Sequence, residues 1–200
     1  ANIHSGIFMN GQVVLYQGER VYSSEIPTET VERFHQMVKE DGYGLTAYND
    51  KEFYLVESSS GAKDAYGFIH TNPPALKEDF YKENPINMML FISLPPAEEK
   101  YKVAFPNLDF LRNTPYSVDV ISKGNSKAEG IKRFLEHLDQ EDAETYAFGD
   151  GPNDIEMLQA VTHPVAMGNA LPVLKEIAEF ITTNNTDNGI VNGLKHYGLI

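Results

Sequence analysis

Gly149-Asp150-Gly151-Pro152-Asn153-Asp154 is the segment with the most chemical potential in these 200 residues. Two carboxylates four positions apart, with an amide between them at a helix start, can hold a hard divalent cation through oxygen atoms. The same residue types also build ordinary turns and helix caps, so composition alone leaves both readings open. An EF-hand calcium loop is excluded. Counted from Asp150, position 6 is Ile155 rather than glycine, and position 12 is Val161 rather than glutamate. Lys127 is the second candidate. It stands just inside the start of a helix, where the macrodipole disfavours a cation by about a few tenths of a kcal/mol. A solvated surface position tolerates that penalty, whereas a neighbouring anionic site would reverse it.

Other chemistries find no support. The chain has no cysteine, which removes disulfides, thiolate metal sites and cysteine nucleophiles. Its six histidines (His4, His35, His70, His137, His163 and His196) show no i, i+4 pair and no zinc spacing. No Gly-x-Ser-x-Gly elbow occurs. Gly42-Tyr43-Gly44 with Ala47 imitates a dinucleotide fingerprint, but it follows a helix and precedes a strand, the reverse of the required order.

The elements that must carry Lys127 and Asp150 are readable from pattern. Ser126 and Glu129 form a capping box, and Ile131, Phe134, Leu135 and Leu138 stripe a helix over 126–138. Thr145 to Phe148 reads as a short strand ending in the Asp150 loop, and Pro152 suits the first turn of the next helix. Val165 to Met167 reads as another strand, closed by Gly168-Asn169. Leu171, Leu174, Ile177 and Ala178 stripe a further helix before an extended Phe180-Ile181. This alternation predicts a parallel sheet with crossover helices.

The preceding part differs. Residues 3–22 predict short β elements around the Asn10-Gly11 turn. Thr28 is placed as the cap of a helix striped by Val31, Phe34, His35 and Val38 and ended by Asp41-Gly42. Strands are expected at 45–48, 53–56, 87–93, 108–111 and 117–121. Helices are expected to open at Pro73-Pro74, running to Tyr81, and at Pro95-Pro96. Together these make an α+β module.

Composition narrows the partners. Hydrophobic residues are 42% and charged residues 22%, ordinary globular values. Sixteen Lys and Arg against 29 Asp and Glu leave a net charge of -13, which repels nucleic-acid backbones, and no basic run overrides it. The longest apolar stretch, Ile86 to Leu94, has nine residues against the roughly 18 to 20 of a membrane helix. With no signal-peptide pattern, a cytoplasmic location is the default expectation.

Lys127 ahead of an amphipathic helix, the run Tyr146 to Leu158, and Val165-Ala166-Met167-Gly168-Asn169-Ala170 together resemble a phosphatase of the haloacid dehalogenase (HAD) superfamily. The branch most resembled is the Cof type, with a type IIB cap, and Thr182 to Ile190 is similar in style. The resemblance covers 118–200 well, and 24–117 only as the expected cap. It implies an α/β fold: a partial Rossmann-like core from residues 1–23 and 115–200, with an α+β cap inserted at 24–114. It further implies a Mg2+ cofactor bound by Asp150, a catalytic Lys127 touching phosphate and nucleophile, and Asn153 as a phosphate contact. Asp154 would orient Lys127 or a metal-bound water. The implied substrate is a small phosphorylated metabolite, a sugar phosphate or similar.

One departure is large. The family's Asp-x-Asp-Gly-Thr nucleophile segment does not occur in these residues, nor does its Ser/Thr motif. The first residue is Ala1, and two upstream βα units of about 60 residues are expected to be missing. The chain alone is therefore expected to be inactive. The alternative is a non-catalytic binding or interaction protein, with a homo-oligomer formed through an exposed sheet edge. Tyr54, His70 and Arg112 are unranked candidates for contact with a leaving group.

Overall fold

A computed structural model describes residues 4–200. The start of the expected 3–22 segment, Ile3, and the core assignment of residues 1–3 lie outside the described residues. The chain divides into two compact units, Ala1–Asn125 and Ser126–Ile200.

In the first unit, Gly6–Phe8 (β1), Val13–Tyr16 (β2) and Glu19–Ser23 (β3) form a three-stranded antiparallel sheet. The helix Thr28–Asp41 (α1) buries Val31, Phe34, His35 and Val38, the residues of its apolar stripe. It stops at Gly42, whose φ of +74° is open to glycine at no steric cost. Thr28 is the first helical residue rather than the cap; Pro27 holds that position without a side-chain bond.

The strands Gly44–Tyr48 (β4) and Phe53–Glu57 (β5) come next, then the helix Ala62–Phe68 (α2) and the short turn of helix Phe80–Glu83 (α3). Met88–Ile92 (β6), the helix Glu98–Ala104 (α4), Leu108–Thr114 (β7) and Ser117–Ser122 (β8) complete the unit. The five strands pair antiparallel in the order β5-β4-β6-β8-β7. Phe34 is fully buried at the centre of the core, edge-on to Phe91 at 5.6 Å and tilted on Tyr101 at 5.0 Å. A second cluster packs Ala62, Ala65 and Tyr66 of α2 against Leu55 and Ile92.

Two features differ from expectation. The helix expected from Pro73-Pro74 to Tyr81 is limited to α3, because Leu76 instead bridges Leu55, with the Leu55 amide donating to Ala75 and the Lys77 amide to Leu55. The helix α2 was not anticipated. Residues 117–122 pair with β6 and β7 inside the five-stranded sheet, and the two compact units divide after Asn125.

The second unit begins with the helix Lys127–His137 (α5), whose cap Ser126 accepts from the Glu129 amide at 3.3 Å. Tyr146–Gly149 (β9), the helix Ile155–Ala160 (α6), His163–Ala166 (β10), the helix Pro172–Ile177 (α7), Phe180–Ile181 (β11) and the helix Gly189–His196 (α8) follow. The sheet is parallel, in the order β11-β10-β9. Ala147, Leu158, Ala166, Met167, Ala170 and Leu174 make its core. The apolar stripe of α5 is only half-buried, and α8 was not anticipated. Among the described residues no helix is long and apolar enough to cross a membrane.

Candidate active site

The carboxyl ends of parallel strands are where open α/β sheets gather ligands, and three loops of the second unit meet there. The loop after β9 carries Asp150, the loop after β10 carries Asn169, and the loop after β11 runs from Thr182 to Asn188. The Met167 amide donates to the Gly149 carbonyl and the Gly168 amide to the Thr183 carbonyl, both at 3.0 Å. The Leu171 amide reaches the Asp150 carbonyl at 3.2 Å. Their backbones are thus stitched together.

Asp154 is the most committed side chain in this cluster, at 5% exposure. Its Oδ1 accepts from Lys127 Nζ in an ion pair. Its Oδ2 accepts from the backbone amides of Asp150 at 2.9 Å and Gly151 at 3.1 Å. Both oxygens are therefore engaged, one by Lys127 and one by the Asp150 loop. This arrangement also answers the placement of Lys127 at a helix start. A buried carboxylate supplies the anion that the macrodipole does not.

Asp150 is exposed, and its Oδ2 accepts from Asn169 Nδ2 at 2.7 Å. Asn153 is half-buried in the 3-10 turn Pro152–Asp154 that leads into α6. Its Oδ1 stands 3.1 Å from where a Cβ on Gly151 would lie. Lys127, Asp150 and Asp154 are thus linked in one network, with Asn153 on the same loop.

Among the described residues no group of three or more His, Cys, Asp or Glu side chains is placed to hold a metal ion. A cation here would rest on the Asp150 carboxylate, completed by water and substrate oxygens. That donor set is all oxygen with one carboxylate, which suits magnesium, an ion that keeps several waters and shares phosphate ligands. The residues present fit the cofactor that the resemblance implies.

Gly149 makes the close approach possible. A Cβ there would lie 2.7 Å from Asp154 Cβ and 3.3 Å from Leu158 Cγ. Gly149→Ala is expected to cost about 1–3 kcal/mol through overpacking and to displace Asp154 from Lys127. Denaturant unfolding measures the first effect, and the Lys127 ammonium resonance the second.

Asn169 was not among the candidate site residues read from the sequence, where Gly168-Asn169 stood as a strand-ending turn and as part of a run that carries the family resemblance. Its position at the carboxyl end of a strand next to β9 was the available signal. Arg112 is the opposite case. Offered as a leaving-group contact, it instead forms a two-pronged pair with buried Glu98, at 2.7 and 2.6 Å. Tyr54 bonds Glu52, and His70 is exposed with φ +57°.

The sequence profile of haloacid dehalogenase-like hydrolases matches residues 2–194. The YkrA protein of Bacillus subtilis (strain 168) is 36% identical over 199 residues, spanning 99% of this chain and 77% of that protein. The crystal structure of a hypothetical protein from Geobacillus kaustophilus HTA426 superposes with a TM-score of 0.88 at 32% identity, covering 99% of this chain and 78% of that one. A solved sugar phosphatase of HAD subclass IIB gives a TM-score of 0.84 at 28% identity, with 99% and 77% covered.

Proposed function

The chain belongs to the haloacid dehalogenase-like hydrolases, and from that premise we propose that it serves magnesium-dependent hydrolysis of a small phosphorylated metabolite, a sugar phosphate or similar ester. The observation that carries this reading is the Lys127–Asp154 pair, tied through the Asp150 and Gly151 amides to a loop at the strand carboxyl ends. In this reading Lys127 meets a phosphate oxygen, Asn153 contacts the same group, and Asp150 supplies the carboxylate for the cation. Asp154 keeps the ammonium aimed and the loop closed. Bound magnesium would neutralise charge on the phosphoryl group as it transfers. The five-stranded module, with β8 included, is read as the family's inserted cap.

These 200 residues hold no Asp-x-Asp-Gly-Thr segment. The proposal therefore includes that they bind phosphate and magnesium but do not hydrolyse an ester on their own. Equilibrium dialysis with inorganic phosphate and Mg2+ is expected to show binding that weakens about tenfold or more in Lys127→Ala, the value of a charged hydrogen bond. p-Nitrophenyl phosphate is expected to hydrolyse no faster than without protein. Robust turnover abolished by Asp150→Ala would overturn the inactivity and keep the phosphatase reading. A stable dimer that binds neither ligand would favour a non-catalytic interaction protein. The motivation for that rival is that β9 and β11 each pair on one side only among the described residues.

A further inference from the structure

Asn169 is exposed, yet both ends of its side-chain amide are spoken for. Nδ2 donates to Asp150 Oδ2 at 2.7 Å, and Oδ1 accepts from the Asn185 backbone amide at 3.0 Å. The orientation is fixed by chemistry. A flipped amide would set oxygen against the Asp150 carboxylate and NH2 against an N–H donor, losing both bonds. The backbone that carries Asn169 is equally constrained. A Cβ on neighbouring Gly168 would lie 2.6 Å from Asn184 Oδ1 and 2.7 Å from the Asn184 amide nitrogen. Lys175 Nζ donates to the Gly168 carbonyl at 2.6 Å on the same segment.

We propose that Asn169 is a positioning residue for the Asp150 carboxylate, holding Oδ2 so that Oδ1 is presented to a divalent cation, and that it couples this carboxylate to the Thr182–Asn188 loop through Asn185. The inference rests on the reading of Asp150 as the cation ligand. A carboxylate free to rotate must be ordered when the cation binds, whereas one already held by a donor is ordered beforehand. Removing such an outer partner typically weakens metal binding by about 10- to 100-fold. The same bond contributes little to folding, because both groups face water and solvent replaces it when it is lost. Cation affinity and stability therefore separate.

The test uses the full 200-residue chain with Mn2+, followed by electron paramagnetic resonance of the free ion. Asn169→Ala is expected to bind about tenfold more weakly or worse, with its cation-free unfolding midpoint unchanged. Asp150→Ala is expected to abolish binding. In a parallel Mg2+ titration by nuclear magnetic resonance, the Asn169 side-chain amide and the Asn185 backbone amide shift in the wild type and not in Asp150→Ala. Wild-type affinity in Asn169→Ala, with binding still lost in Asp150→Ala, would overturn this inference alone. So would a loss of affinity matched by an equal loss of cation-free stability. Absence of Mn2+ binding in the wild type would overturn both the inference and the reading of Asp150.

Discussion

Asp154→Ala is expected to destabilise the protein by about 3 kcal/mol, the low end of the cost of breaking a buried ion pair. The low end applies because the Lys127 side chain keeps 31% exposure, so its ammonium recovers water when its partner is removed. Two further groups lose an acceptor, the amides of Asp150 and Gly151. Those amides should exchange with solvent faster in the variant, while amides of the five-stranded sheet keep their rates. Urea unfolding and residue-resolved hydrogen exchange together measure this. Asp154→Asn retains one acceptor and should fall between. A change within about 0.5 kcal/mol, as at an ordinary surface position, would contradict the role given to Asp154.

Arg112→Ala should cost more, about 3–5 kcal/mol. Its guanidinium spans both Glu98 oxygens and also donates to the Ser93 carbonyl at 3.0 Å and the Pro115 carbonyl at 3.2 Å. The side chains are 19% and 9% exposed, so truncation strands a buried carboxylate. The Arg112 bond holds the Glu98 carboxyl below its ordinary value, against the opposing effect of burial. A depressed folded pKa contributes stability that is present above the unfolded value, about 4.3, and is lost as pH falls through the folded one. Without Arg112 the buried carboxyl prefers its neutral form. The gap between wild type and variant should therefore narrow as pH drops below about 4. Urea unfolding at neutral and acid pH measures both terms, and a gap that widens in acid would refute the assignment.

The candidate site was partly legible in the sequence. Lys127 stands out because a cation opposes the helix dipole, and Asp150 and Asp154 because they close a predicted parallel strand. Asn169 was not legible. Its function depends on a hydrogen bond across 19 positions, between loops that approach only after β9 and β10 pair. The Glu98 partner of Arg112 was not legible for the same reason, since an arginine in a strand carries no local sign of a partner 14 residues earlier.

The amino-acid order by itself determined the features whose causes lie within one or two helical turns. The buried stripe of α1, the Ser126 cap of α5, the glycine stop at Gly42 and the β9 turn all follow from neighbours at most four positions away. Tertiary structure alone decided the strand order β5-β4-β6-β8-β7 and that Leu76 bridges Leu55 instead of turning into helix. It also decided that α8 docks where a Cβ on Gly193 would meet the Phe148 ring at 2.2 Å. Strand partners, buried counter-ions and close backbone approaches are chosen by what the rest of the chain brings alongside, and local periodicity carries no record of that choice.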